Sequence, residues 1–488
     1  MPNYIMPSTS LFWHDYETWG IDPRYDRPSQ FAGIRTDLEL NVIDEPVMLY
    51  CKPPVDYLPH PMSALVTHLT PRQADERGVR EAEFFSTIHE QLSKPGTCGV
   101  GYNSIRFDDE VTRFGFYRNF FDPYAREWQN GNSRWDILDL LRLTHALRPE
   151  GITWPKREGE PGITSFRLDQ LTVANGIAHE DAHDALADVH ATIAIARLVR
   201  QTQPRLFDYY FNLRLKRNVQ QLIDLQNHEI LLHASGMYPA EFGSIAPVLP
   251  LIQHPTNSNG IIVYDLRHDP SVLLKQDSDT IRELLYTRRE ELPEGQQRPP
   301  LKTLHINKSP AIAPVATLTE ESAQRWQIDL QQAGEFRQQL LADTGLTGTL
   351  EAVFSETLGL ESPRDADMAL YGGFLQDTDR KLCERVRNSK PDELASWKPG
   401  FRDVRLKTLY FRYRARNWPE TLTPEEKERW TAFCSERLEQ GVDGTGLTSE
   451  SFADELADLR NQGDLTQEEE AILDEMEQWP GIIRPGVQ

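Results

Sequence analysis

The chain has 488 residues, 39% of them hydrophobic, and a formal net charge of −23. That length predicts two to four domains rather than one core, and the charge taken alone argues against a nucleic-acid binder, which usually shows a basic face. No apolar run approaches the eighteen residues of a membrane-spanning helix, and the first ten residues, MPNYIMPSTS, lack the basic and apolar regions of a signal peptide.

The elements follow in chain order. Leu11–Gly20, LFWHDYETWG, is predicted to be a strand. Side chains alternate faces along a strand, so Asp15 and Glu17 point the same way. Two acids at the end of a buried strand repel each other and resist desolvation. A divalent cation between them would relieve both effects. Further short strands are predicted at Phe31–Thr36, Pro46–Cys51 and Thr97–Tyr102, with helices at Thr70–Ala74, Glu81–Leu92 and Phe107–Asn119. Arg134–Leu147 carries the apolar stripe of a helix, Leu168–Asn175 is a short helix closed by Asn175-Gly176, and Asp184–Arg200 is a periodic, Ala-rich helix. This is an α/β unit that opens with an antiparallel meander. A boundary is predicted at Gln201–Pro204. Beyond it, short β-like runs such as Gly260–Asp265 and Leu301–Ile306 sit between Pro- and Asn-rich turns. From about Leu358 the pattern is helical, with capping boxes starting at Thr423 and Thr466.

Acids concentrate after about Glu420, where the last seventy residues are expected to form a solvated face. Just ahead of them FRDVRLKTLYFRYRAR supplies Arg402, Arg405, Lys407, Arg412, Arg414 and Arg416, the material of a basic track on an acidic protein. Binding along such a track should be salt-sensitive. Cys51, Cys98, Cys383 and Cys434 lie far apart with no CxxC, which predicts free thiols in a reducing cytoplasm and no zinc site.

Three later pieces complete the Asp15–Glu17 pair. Gly101-Tyr102-Asn103 leads to Phe107-Asp108-Asp109, an acid where a strand passes into a helix. His183 and Asp188 follow in AHDALADVH. Five helical residues turn by about 140°, so these two cannot share a helix face. His183 must precede the helix if both serve one site, and Asp184 could then cap it. Asp-x-Glu, Asp and His-x4-Asp, in that order on an α/β pattern, suit phosphodiester hydrolysis. Two Mg²⁺ ions favour oxygen ligands and clamp the attacking and leaving oxygens, and a histidine neutral near pH 7 can accept a proton from water.

The constellation resembles the His-containing branch of the DEDD exonuclease superfamily, and within it the bacterial exodeoxyribonuclease I family. The similar segments are LFWHDYETWG, RPSQFAGIRTD, GYNSIRFDDEVTR, NSRWDILDLLR, ALRPEGITWP, SFRLDQLTVANGI, AHDALADVHATIA, QPRLFDY, HINKSP, LYGGF and YRARNWP, and they reach residue 419. The resemblance implies an α/β RNase H-like exonuclease domain over residues 11–200, an SH3-like β-rich domain over 204–355 and a helical C-terminal domain over 358–482. It implies processive 3′→5′ degradation of single-stranded DNA to nucleoside 5′-monophosphates in repair and recombination. Asp15, Glu17, Asp108 and Asp188 then hold two Mg²⁺ (Mn²⁺ fits the same oxygens), His183 is the general base, and Glu17 and Arg167 reach the terminal nucleotide. Arg113, Tyr124, Trp128, Arg142, Lys216, Asn259, Lys302 and Tyr371 match positions along the DNA track. The family binds the acidic tail of the single-stranded-DNA-binding protein, which Arg148 and Tyr209 could receive, although APVATLT lacks the basic and amide side chains expected beside them. A monomer with no membrane attachment is expected. The rivals are an RNA exonuclease of the same superfamily, against which the 280 or so extra residues argue, and a non-catalytic DNA-binding scaffold, against which the complete set of acids argues.

Overall fold

The computed structural model describes residues 9–179, 183–293, 295–355, 365–463 and 465–483. The chain divides into two compact units, Met1–Ser133 with His179–Ile193 and Glu361–Gln488, and Arg134–Ala178 with Ala194–Leu360.

The first unit is built on β1 (Ser10–Thr18), β2 (Pro28–Thr36), β3 (Val47–Tyr50) and β4 (Thr97–Gly101), side by side in the order β3-β2-β1-β4. β1 runs antiparallel to β2, with Asp15 opposite Ala32 and Glu17 opposite Gln30, and parallel to β4, with Trp13 opposite Val100. Phe12, Tyr16 and Phe31 from the sheet pack with Phe84, Phe85, Ile88 and Leu92 of the Glu81–Leu92 helix. The Asp108–Arg118 helix presses on the same layer through Gly115, where a Cβ would collide with the Phe85 ring. This burial holds the C-terminal end of β1, and with it Asp15 and Glu17, in a fixed place.

Two expectations for the C-terminal region are corrected. The basic stretch is the Val404–Asn417 helix, and its arginines turn inward rather than lining a track. Arg412 bonds Asp365 and Asp367, Arg414 bonds Glu426, Arg416 bonds Asp56 and Asp367, and Arg405 bonds Asp403. A guanidinium drawn into a core must find a carboxylate, because an unpaired buried charge is far too costly. Arg402 and Lys407 alone of the six remain exposed. The acidic tail, likewise, is more than a solvated face. Its helices Ser449–Asn461 and Gln467–Ile483 direct Leu456, Leu459, Leu473, Met476 and Trp479 into one core with Trp19, Tyr57 and Leu58. They are amphipathic, so the acids that dominate their composition occupy the other side. The capping boxes at Thr423 and Thr466 form as expected.

The second unit opens in β5 (Ser133–Asp136), which the sequence pattern assigned to a helix. Trp135 is buried against Phe207, Tyr210 and Phe211, which favours an extended start, and Asp136 then caps the Ile137–Leu147 helix by accepting from Leu138 N at 2.9 Å. A short hairpin, β6 (Lys156–Arg157) and β7 (Glu160–Thr164), precedes the Leu168–Ala174 helix. The β-rich part is one antiparallel sheet of β8 (Leu231–Ala234), β9 (Ile245–Gln253), β10 (Gly260–Asp265), β11 (Leu301–His305) and β12 (Ala311–Pro314), in the order β11-β10-β9-β8-β12. The Leu330–Ala342 and Leu346–Ser355 helices cover it, burying Ala333, Leu340, Leu350 and Val353 on Leu249, Ile262 and Tyr264. Among the described residues, no helix is long and apolar enough to cross a membrane.

Candidate active site

The acids converge at the end of β1. The backbone N–H of Tyr16 donates to Asp108 Oδ1 at 3.1 Å, which ties the first residue of the Asp108–Arg118 helix to the strand between Asp15 and Glu17. The neighbouring Asp109 is paired with Arg126 instead, in a buried ion pair. Asp108 is therefore the acid of this doublet that joins the strand pair.

His183 and Asp188 arrive as the sequence required. The helix begins at Ala185, and His183 stands ahead of it in the left-handed region at φ 69°. Asp184 caps the helix, its Oδ1 accepting from Leu186 N and Ala187 N at 3.1 Å each. Gln30 on β2 anchors the same end, donating to Asp184 Oδ2 at 2.8 Å and accepting from Ala185 N at 3.2 Å. Because Gln30 faces Glu17 across the β1–β2 ladder, the helix start is delivered beside the acids. Ligand atoms of Glu17, His183 and Asp188 all lie within 4.8 Å of one another.

The electrostatics are those of a crowded, buried acid cluster. Burial, then Asp108, Glu17 and Asp188, raise the Asp15 carboxyl well above its ordinary range. Burial, then Asp188 and Asp108, do the same to Glu17. Burial also raises Asp188, opposed first by the hydrogen bond and nearness of His179 and then by the nearness of His183. A hard cation would relieve both burial and repulsion, and an all-carboxylate oxygen set beside one imidazole fits Mg²⁺ or Mn²⁺. His179 was not singled out from the sequence, yet its Nε2 lies 2.6 Å from Asp188 Oδ1. The signal was a second histidine four residues before His183 in AHEDAHD.

The remaining predicted contacts fall into separate groups. In the first unit Arg113 lies 5.3 Å from the Tyr124 ring centre and within 3.3 Å of the Tyr371 hydroxyl, but its guanidinium is also held by Glu127 at 2.7 and 2.9 Å and by Glu110 at 2.6 Å. Tyr371 also bonds Glu110. Trp128 is 66% exposed and Tyr371 57%. Phe374, which the sequence reading passed over, is 85% exposed and meets Tyr124 edge-on, the ring centres 6.1 Å apart.

In the second unit Lys216 donates to Asn259 Oδ1 at 2.6 Å, and Lys302 lies 4.6 Å from the Tyr238 ring centre. Arg142 bonds Asp139 at 2.7 Å and stacks so close to Gly236 that a Cβ there would lie 2.8 Å from its Nη2. Arg167 follows Phe166, whose ring packs on His145 and Trp154, and bonds Asp169 at 3.2 and 3.1 Å. Arg148 and Tyr209 share one cavity of about 440 Å³ with Leu143, Leu147, Arg205 and Leu206.

Three domain families match the chain: Exonuclease over residues 12–196, Exonuclease I SH3-like domain over 214–356 and Exonuclease I C-terminal domain over 364–482. These assign an RNase H-like exonuclease domain, an SH3-like domain and a helical C-terminal domain. Exodeoxyribonuclease I of Escherichia coli K12 is 47% identical over 453 residues, covering 92% of this chain and 94% of the relative. The crystal structure of a moderately thermophilic exonuclease I from Methylocaldum szegediense superposes with a TM-score of 0.93 at 49% identity, covering 97% of this chain and 99% of that one. The zinc-bound form of the E. coli exonuclease I complex with single-stranded DNA superposes with a TM-score of 0.91 at 45% identity, covering 98% and 99%.

Proposed function

Because this chain belongs to the exodeoxyribonuclease I family, we propose that it degrades single-stranded DNA processively from the 3′ end, releasing nucleoside 5′-monophosphates with two Mg²⁺ as cofactor, in repair and recombination. The observation that carries this reading is the convergence of Glu17, His183 and Asp188 beside Asp15 and Asp108.

Asp15, Glu17, Asp108 and Asp188 would hold the ions through oxygen. When bound, the ions supply a water acidified for attack and counter-charge for the phosphate oxygens. His183, exposed and next to Glu17 and Asp188, accepts the proton of the attacking water. Glu17 in the first unit and Arg167 in the second are each assigned, by the family resemblance, as a contact for the terminal nucleotide. The exposed rings of Trp128 and Tyr371, with Tyr124, stack on bases of any sequence, each contact worth about 1–3 kcal/mol. Arg113, Arg142, Lys216, Asn259 and Lys302 follow the backbone as polar and cationic contacts. Arg113 already has carboxylate partners, so its part is to orient Tyr124 and Tyr371 as much as to meet phosphate.

The cavity of Arg148 and Tyr209 suits the acidic tail of the single-stranded-DNA-binding protein. Its walls are apolar and its two arginines would take a carboxylate. Arg205 supplies a cationic side chain that the 311–318 stretch lacks. The protein acts as a cytoplasmic monomer in this reading, with the whole nuclease constellation on one chain and the three parts dividing near residues 200 and 357.

The test is degradation of 3′-labelled and 5′-labelled single-stranded DNA with Mg²⁺ or EDTA. Immediate mononucleotide release from the 3′ label, lost in EDTA and in Asp15→Ala, is the expected result. Equal or faster loss of RNA of the same sequence would move the substrate to RNA, and binding without cleavage would overturn the enzymatic reading.

A further inference from the structure

We infer that His179 is a positioning residue that fixes the Asp188 carboxylate for metal binding, a division of labour in which one histidine of AHEDAHD holds a ligand while the other, His183, acts on water. The inference rests on the reading of Asp188 as a metal ligand.

The geometry is specific. His179 Nε2 lies 2.6 Å from Asp188 Oδ1, and the His179 side chain is only 2% exposed against 18% for Asp188. The backbone around Asp188 is already secured without His179. Asp188 N donates to Asp184 O at 3.0 Å, and the helix start is capped by Asp184 and braced by Gln30. What these contacts leave undetermined is rotation of the Asp188 carboxyl itself. Asp15 and Glu17 stand close enough to repel it, so an unheld carboxylate would swing away whenever the cation is absent. An imidazole N–H donated to Oδ1 prevents that while leaving the lone pairs of Oδ2 for a cation. Hydrogen bonds of this kind to ligating groups typically change metal affinity 10–100-fold when removed.

The two histidines are suited to different work. His183 is exposed and held by a positive φ ahead of the helix, with Glu17 and Asp188 as its near neighbours. His179 is enclosed, with Asp188 in contact, which fits a standing hydrogen bond to the carboxylate rather than contact with the attacking water.

The experiment is titration of the full-length, metal-free protein with Mn²⁺ in the absence of DNA, followed by calorimetry and by the electron paramagnetic resonance of free Mn²⁺. His179→Ala should weaken binding about 10–100-fold, and His179→Gln, whose amide can donate from nearly the Nε2 position, should recover most of it. In turnover, the Mn²⁺ or Mg²⁺ concentration for half-maximal rate should rise in His179→Ala while the KM for DNA stays within twofold. Asp188→Ala serves as the reference. If Asp188→Ala loses affinity and His179→Ala does not, the positioning role is overturned and the metal site stands. If neither variant loses affinity, the assignment of Asp188 as a ligand fails, and the inference with it. Loss in His179→Ala that His179→Gln does not restore would also overturn the role, since the donor alone is what the inference requires.

Discussion

Arg126 holds Asp109 in an ion pair with both side chains almost fully buried, and this pair decides the work of its neighbour. With Asp109 committed to Arg126, Asp108 is left to receive the Tyr16 N–H and to add its charge to Asp15 and Glu17. Two adjacent acids thus have opposite energetic roles. Asp109→Ala would strand a buried guanidinium and should cost about 3–5 kcal/mol of stability. Asp108→Asn removes a repelling charge while keeping the shape, so it should leave stability unchanged or raise it and yet abolish nucleotide release. Urea unfolding of the two variants beside their activity on oligo-dT checks this. Similar stability losses in both would contradict the distinction.

The acid cluster also makes the metal-free protein less stable than its contacts alone would allow. Asp15 and Glu17 have folded-state carboxyls raised above their unfolded values. The unfolded chain therefore releases these protons first, and stability falls as pH rises from about 4 toward neutrality. Asp15→Asn should raise the metal-free Tm at pH 7. Mg²⁺ at a hundredfold excess over its Kd should add about 2.7 kcal/mol to the wild type and much less to Asp15→Asn. Thermal unfolding in EDTA and in Mg²⁺ measures both shifts, and a Tm for Asp15→Asn in EDTA below that of the wild type would count against the repelling cluster.

A second buried network has the opposite sign. Burial alone would raise Asp56 and Asp367, but Arg416 acts on both, with Arg437 on Asp56 and Arg412 on Asp367, and holds their carboxyls well below the usual range. Their contribution is complete above the unfolded value near pH 4 and is lost as pH falls through the depressed folded values. The C-terminal helices should therefore detach from the rest of the first unit only in strong acid. Asp367→Asn leaves Arg416 and Arg412 short of charge and should cost about 3–5 kcal/mol at pH 7. It should also flatten the acid limb of a Tm-against-pH curve, and an acid limb identical to that of the wild type would remove Asp367 from the account.

What the sequence makes legible depends on how local the physics is. The facing of Asp15 and Glu17 follows from strand alternation, and the position of His183 ahead of its helix follows from helical angle, so both are readable from a few residues. The choice of Asp108 over Asp109 came from family resemblance, since Arg126 is seventeen residues beyond Asp109 and nothing local announces the pair. The inward turn of Arg412 and Arg416 was unreadable because their partners include Asp56, 360 residues before Arg416. The acidic tail misled for a related reason. Composition counts the outward acids, whereas Leu473, Met476 and Trp479 find their partners in Trp19 and Tyr57 near the other end of the chain. In the β-rich part, β8, β9 and β12 went unmarked because strands buried on both faces lose alternation.

The Arg148 cavity gives a prediction that separates partner binding from catalysis. Tyr209 donates to Ile312 O at 2.9 Å and Arg148 to Thr317 O at 3.0 Å, so both are fixed by β12 and the turn after it before any ligand arrives. Arg205 is exposed and makes no ion pair among the described residues. An acidic peptide ending in an apolar residue can seat that residue between Leu143, Leu147 and Leu206 while its terminal carboxylate meets the arginines. A hydrogen bond to a charged group contributes about 1.5–3 kcal/mol. Arg148→Ala should therefore weaken such a peptide at least about tenfold in fluorescence anisotropy, and amidating its C-terminus should do the same. Arg205→Ala should cost less, because its exposed guanidinium is screened by water and salt. Initial rates on free oligo-dT should be unchanged in both variants. Tight binding of the amidated peptide would show that the cavity reads side chains alone, and an equal loss of nuclease rate in Arg148→Ala would make the cavity part of the DNA track instead.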